Sequence, residues 1–87
     1  MSIPVALEDL AAALLRFRFA YLLTVSEHAQ PRVVAVSPRL ENGVLTVSGA
    51  GRSSTENALV RPAVTLIWPP AGTGHSLIVD GTALVDG

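Results

Sequence analysis

Residues 44–68 contain the pattern that most constrains the fold: a β-strand, a glycine turn, a short helix and a second β-strand. The first strand is predicted over 44–48, the turn is Gly49-Ala50-Gly51, and the second strand is predicted over 63–68. Such a turn leaves backbone N–H groups at the helix N-terminus without partners, and the helix dipole adds partial positive charge. The pattern therefore predicts an anion site, most naturally for a phosphate. Further donors would be the side chains of the helix-opening segment, Arg52-Ser53-Ser54-Thr55.

The same stretch has a second interpretation, in which Ser53 or Ser54 simply caps the helix and Arg52 is solvated. The stretch by itself leaves both interpretations open. A dinucleotide-binding fingerprint is excluded, because its last glycine is replaced by Ser54 and the flanking strands are predicted to be antiparallel.

Composition narrows the class of protein. The chain has 87 residues, enough for one domain, and its formal net charge is −1, with six arginines and no lysine. Nucleic-acid and membrane-surface proteins usually carry a basic excess, so neither partner is expected. The chain has no cysteine, no signal-peptide pattern at its start, and no apolar run near the roughly 20 residues that span a bilayer. We therefore expect a cytoplasmic location.

The hydrophobic content is high for so short a chain. Hydrophobic residues make up 49% of the sequence and the mean hydropathy is +0.48. A domain of this size buries only a modest fraction of its surface, so part of the apolar surface needs a partner. We expect a homodimer.

Residue periodicity predicts a mainly β domain with two helices. A helix is expected over about 5–17 with Pro4 at its first turn, and barrel strands over about 19–87. Strands at 20–26, 32–37 and 44–48 are predicted to form an antiparallel meander, the last two linked through a hairpin at Asn42-Gly43. The short helix is expected over 54–60 and the last strand over 75–85, with a bend at Gly81. The last strand would leave an exposed edge, to be covered by missing strands or by a partner subunit.

Few residues have the pattern of a catalytic or metal site. His28 and His75 lack metal-ligand spacing, and no acid/base pair or nucleophile motif is visible, so no metal site and no catalytic residue is assigned. Arg32 opens an apolar strand; it could reach a phosphate from a barrel rim or be a solvated strand-end charge.

The order of these segments resembles a known family. The predicted N-terminal helix is followed by the segments AYLLTVSEHAQPRVVAVSP, NGVLTVSGAGRSSTENALVRPAVTLIWPP and HSLIVDGTALV. This order is similar to that of the pyridoxamine 5′-phosphate oxidase-like FMN-binding split-barrel proteins, especially actinobacterial flavin- or deazaflavin-dependent members. The likeness runs from about Leu7 to the end of the chain. It implies an antiparallel split β-barrel with an N-terminal helix and one short internal helix, incomplete at the C-terminus, in a single domain over 1–87.

The resemblance also implies a cofactor, FMN or alternatively a deazaflavin, bound at a dimer interface. The strand lining the isoalloxazine ring and phosphate would comprise Arg32, Val33, Val34, Ala35, Val36 and Ser37. Val47 and Ser48 would contact the ring or the ribityl chain, and the phosphate would be held by Arg52, Ser53 and Ser54. Many members carry a lysine or an Arg-Lys pair where this chain has Ser53-Ser54.

Three functions are compatible with this sequence. The first is a flavoprotein oxidoreductase using FMN or a deazaflavin, in which the cofactor supplies the redox chemistry. The second is a flavin-binding carrier or sensor without turnover, and the third is a cofactor-free dimerisation barrel. No motif indicates the small-molecule substrate.

Overall fold

The computed structural model describes residues 1–5, 10–15, 17–70 and 74–85. It contains seven strands and two helices in the order β1 (Ser2–Pro4), α1 (Leu10–Leu14), β2 (Ala20–Val25), β3 (Pro31–Val36), β4 (Arg39–Glu41), β5 (Val44–Thr46), α2 (Arg52–Val60), β6 (Ala63–Trp68) and β7 (Leu77–Thr82). The expectation of a mainly β protein with a short internal helix is confirmed. Neither helix is long and apolar enough to cross a membrane, within the part of the chain described.

A four-stranded antiparallel sheet has the order β3-β2-β6-β7. Its strands alternate between the two faces, so residues in register share a face. Leu22, Leu66 and Val79 lie side by side on the inner face and are buried. This row is the centre of the hydrophobic core, to which Ile3 and Leu45 of the second sheet also belong.

The second sheet is three-stranded and antiparallel, in the order β1-β5-β4. Its tight hairpin between β4 and β5 turns at Asn42 and Gly43, whose φ angles are 52° and 75°. Positive φ at both central residues is the requirement of a type I′ turn, which Asn-Gly satisfies best. The tight turn that the sequence predicts at Asn42-Gly43 is confirmed, but it joins β4 to β5 and not the strand at 32–37 to the strand at 44–48.

The two sheets meet at the N-terminal strand. The Ser2 N–H donates to the Leu84 carbonyl at 2.8 Å, and the Leu84 N–H donates to the Ser2 carbonyl at 2.7 Å. β1 therefore pairs with β5 and also with the segment that follows β7. At the same place Ile3 packs on Gly81: a Cβ at residue 81 would lie 2.5 Å from Ile3 Cγ2. Because Gly81 has no Cβ, it allows this close approach of the Ile3 side chain.

The predicted three-stranded meander is confirmed for its first two strands, since β2 pairs antiparallel with β3, and wrong for the third. The strand at 44–46 does not follow β3 in the same sheet; it pairs with β4 and β1, while β2 lies between β3 and β6. The tight Asn42-Gly43 turn pairs one edge of β5 with β4, and β1 occupies the other edge, so β5 is not available to β3. Alternation shows which residues face inward, but it does not choose the neighbouring strand.

The chain termini also differ from expectation. Pro4 is not in a helix but at the end of β1, opposite Val44, so its placement at the first turn of a helix is wrong. Helix α1 is described over Leu10–Leu14, and the remainder of the predicted helix lies partly in 6–9 and 16, outside the described residues. Strand β7 is shorter than the predicted 75–85. Helix α2 begins at Arg52, two residues earlier than predicted.

Candidate functional site

The N-terminus of α2 has no side-chain cap. Gly51 is the N-cap residue, with φ 90° and ψ 164°, and it follows Gly49 at φ 73°. The first intrahelical bond runs from the Thr55 N–H to the Gly51 carbonyl at 3.1 Å, and Thr55 Oγ1 donates to the same carbonyl at 2.8 Å. The described residues provide no acceptor for the preceding N–H groups, 52–54. The alternative in which Ser53 or Ser54 caps the helix is therefore wrong, and this end of the helix is left with free donors.

The three side chains of this first turn differ in exposure. Arg52 and Ser53 are exposed, whereas Ser54 is fully buried. The Ser54 hydroxyl has no hydrogen-bond partner among the described residues. A ligand at the open end of the helix can reach Arg52 and Ser53, while Ser54 is enclosed and can contribute only its backbone N–H.

A shallow cleft of 290 Å³, here called the β3 cleft, is lined by Phe19, Ala35, Val36, Ser37 and Ser48. Four of these five residues are in the predicted cofactor site; Phe19 is the fifth. Ser48 is three residues before Gly51, a span of at most about 11 Å even when extended. The β3 cleft and the free N–H groups of α2 are consequently close neighbours.

The direction of α2 supports the same proximity. Asn57 Nδ2 donates to Thr24 Oγ1 at 3.2 Å, and Arg61 Nε donates to the Ser26 carbonyl at 2.9 Å. These contacts occur in the same order along the helix and along β2, so the two elements run in the same direction. The N-terminus of α2 therefore lies toward the beginning of β2, the end at which Phe19 lines the β3 cleft. The sequence gives no sign of this anchoring of α2, because the partners are 33 and 35 residues apart.

Arg32, Val33 and Val34 do not line the β3 cleft. Arg32 is exposed and lies opposite Thr24, on the face that α2 covers, beside the second turn of the helix. Three residues of strand separate it from Ala35, about 10 Å. Val33 points to the outer face of the sheet, and Val34 is half-buried opposite Leu22. Arg32 therefore lies outside the lining of the β3 cleft, about three residues along β3 from it.

Val47 is a core residue. Its side chain is buried, its N–H donates to the Met1 carbonyl at 2.8 Å, and its carbonyl accepts from the Met1 ammonium at 3.2 Å. These bonds hold the chain immediately before Ser48. Val47 therefore lies in the core and is not among the residues that line the β3 cleft.

Phe19 is the cleft residue that the sequence does not point to. Its ring makes an edge-to-face contact with Tyr21, with centroids 5.2 Å apart and an interplanar angle of 87°. Phe19 also lines a second cleft of 330 Å³, with Arg18, Pro69 and Pro70, here called the proline cleft. The two clefts share this ring. The position of Phe19 just before a predicted strand is the one sequence signal that could have indicated a role at the cleft. This signal is weak, because aromatic residues are common in and around strands that bind no ligand.

The outer face of the four-stranded sheet is largely apolar. One row across the sheet consists of Ala35, Tyr21, Ile67 and Ile78. Tyr21 is 39% exposed and Ile78 is 60% exposed. The polar pair on this face is Thr65 and Asp80, in which Thr65 Oγ1 donates to Asp80 Oδ1 at 2.6 Å.

The histidines are not part of a metal centre in the described residues. His28 is exposed, with Nε2 3.5 Å from Glu27 Oε1, and His75 is exposed. No cluster of three or more metal-ligating side chains occurs within 1–5, 10–15, 17–70 and 74–85.

Comparison with known proteins gives two relatives, both described as uncharacterized, from Mycobacterium bovis and Mycobacterium tuberculosis. Each is 42% identical over 89 aligned positions, which cover 91% of this chain. The chain spans 63% of the length of these relatives. No protein-family model and no solved structure matches it.

Proposed function

We propose that this chain is a cofactor-binding domain of a flavoprotein oxidoreductase of the pyridoxamine 5′-phosphate oxidase-like class. FMN is the proposed cofactor, with a deazaflavin as the alternative. The observation that carries the proposal is the uncapped N-terminus of α2 beside the β3 cleft. A phosphate-bearing planar cofactor needs both parts: donors for the anion and an adjoining cleft for the ring.

The residues present suit the phosphate end of such a cofactor. Free N–H groups at 52–54 and the exposed side chains of Arg52 and Ser53 provide hydrogen-bond donors and a permanent positive charge. Gly49 and Gly51 have open space where a Cβ would stand, so a ligand can approach the backbone there. Arg32, beside the second turn of α2, is the next available cation. In this proposal Arg52 contributes more than Arg32.

The ring end would occupy the β3 cleft, against Phe19 and between the backbones at Ala35–Ser37 and Ser48. When bound, the flavin supplies the redox chemistry, and these residues bind and orient it. The hydroxyls of Ser37 and Ser48 can donate hydrogen bonds to polar atoms of the ring or of the ribityl chain.

The strand arrangement is compatible with a split barrel. β1 connects the three-stranded sheet to the segment after β7, which gives a continuous order from β4 through β5, β1, β7, β6 and β2 to β3. β3 and β4 are the two ends of this series, and the β3 cleft opens near the end of β3. We propose that this opening is the seam of the barrel.

A homodimer is part of the same proposal. The apolar row that includes Tyr21 and Ile78 gives a surface for a second copy, and a partner subunit would complete the cofactor site. The cytoplasmic location expected from composition belongs to the proposal as well.

The test is binding of FMN to the Arg52→Ala variant, with riboflavin as the ligand lacking the phosphate. Each charge-assisted hydrogen bond to the phosphate contributes roughly 1.5–3 kcal/mol, so FMN affinity should fall about 10- to 100-fold. Riboflavin affinity should not change. The matched control is Arg39→Ala, which removes an exposed arginine from β4 and should leave both affinities as in the parent.

Parent-level FMN binding by Arg52→Ala would show that this turn is not the phosphate site. If the parent protein binds neither FMN nor a deazaflavin, the proposal is wrong and the alternative of a cofactor-free dimerisation barrel is favoured. Binding without turnover, with a reductant and an acceptor supplied, would assign the carrier or sensor role instead of an enzyme.

A further inference from the structure

The proline cleft lies where two neighbouring strands end. β2 and β6 are antiparallel with Tyr21 opposite Ile67, so the residues before β2 lie beside those after β6. Arg18 and Phe19 form one side of the cleft, and Pro69 and Pro70 form the other. Because proline has no N–H, strand pairing cannot continue through Pro69-Pro70, and the cleft begins at this point.

The described lining of this cleft combines one cation with apolar rings. Arg18 is exposed, and no carboxylate is among the described lining residues. Its guanidinium can donate two parallel hydrogen bonds to a carboxylate or sulfonate. Phe19 and the proline rings provide an apolar surface for a flat aromatic ring. Their side chains have no hydrogen-bond donor, so Arg18 is the side chain among them that can bind an anionic group.

We infer that the proline cleft binds a small aromatic molecule that carries a carboxylate or a similar anionic group. Phe19 lines this cleft and the β3 cleft, so a bound aromatic anion lies next to the proposed cofactor site. Its identification as the substrate class of the oxidoreductase rests on the proposed function. Binding itself depends only on the residues of the proline cleft.

A suitable probe pair is 4-nitrobenzoate and its neutral analogue 4-nitrobenzamide, titrated without any flavin. Trp68, the one tryptophan of the chain, is buried and immediately precedes Pro69, and nitroaromatic rings quench tryptophan fluorescence. Saturable quenching by 4-nitrobenzoate is expected for the parent. Arg18→Gln should weaken 4-nitrobenzoate about tenfold or more and leave 4-nitrobenzamide unchanged.

The control variant is Arg39→Gln, which removes the same charge from β4 and should bind both probes as the parent does. Phe19→Leu should weaken both probes, since it removes the shared ring. Equal 4-nitrobenzoate affinity in Arg18→Gln and the parent, or no saturable quenching in the parent, would overturn the inference. Loss of FMN binding in Arg52→Ala is measured separately, so failure of the proposed function is distinguishable from failure of this site.

Discussion

The contact between Gly81 and Ile3 holds β1 against the four-stranded sheet, and the substitution Gly81→Ala perturbs it directly. The added Cβ would lie 2.5 Å from Ile3 Cγ2, whereas non-bonded carbon atoms prefer about 3.5–4.0 Å. Ile3 is buried, and its strand is bonded on both sides, to β5 and to Leu84. The side chain therefore has little room to move aside.

The size of the effect follows from two opposing terms. Overpacking of a well-packed core costs about 1–3 kcal/mol. Replacing glycine by alanine also restricts the unfolded chain, which stabilises by about 0.4–1 kcal/mol. We expect Gly81→Ala to lower the free energy of unfolding by about 1–2 kcal/mol, and the melting temperature by roughly 4–8 °C per kcal/mol.

A double-mutant cycle with Ile3→Ala isolates the contact. Ile3→Ala alone should cost about 2–5 kcal/mol because it leaves a cavity. In that background Gly81→Ala should cost nothing further, since the colliding methyl group is absent and the new one partly fills the cavity. Urea unfolding at one fixed protein concentration, followed through Trp68 fluorescence, measures all four proteins. Additive costs, or a Gly81→Ala protein as stable as the parent, would refute the reasoning.

Three further substitutions test other parts of the structure. Gly43→Val should lower the free energy of unfolding by at least about 1 kcal/mol, because φ is 75° in the turn; an unchanged urea midpoint would contradict this. Ser54→Ala should be neutral or stabilising by up to about 1 kcal/mol, because the buried hydroxyl has no partner among the described residues. A clear loss of thermal stability would mean that this hydroxyl is hydrogen-bonded. Ile78→Glu on the outer sheet face should convert the proposed homodimer to a monomer by light scattering, whereas a parent that is already monomeric would disprove the dimer.

Burial of Ser54 determines where in the first turn of α2 a lysine can be placed. The family resemblance suggests that Ser54→Lys would restore the more usual pattern and tighten phosphate binding or leave it equal. The structure separates the two positions, since Ser53 is exposed and Ser54 is fully buried. A lysine at 54 would place a charge in the core, so Ser53→Lys is the variant that tests added phosphate affinity.

The sequence by itself determined the features that depend on a few consecutive residues. Asn42-Gly43 specifies a tight turn because both residues tolerate positive φ. Residue periodicity identified the strands β2 and β6.

Only the tertiary structure decided which strands pair and which side chains meet. Three features bring together residues that are distant in the chain. They are the pairing of β1 with β5, the hydrogen bonds of Asn57 and Arg61 that anchor α2, and the position of Phe19 in the lining of both clefts. A period-two pattern fixes the buried face of a strand and not its neighbour, because several pairings bury the same side chains. The choice among them depends on packing of the whole core, as at Ile3 and Gly81, which no local preference of the chain encodes.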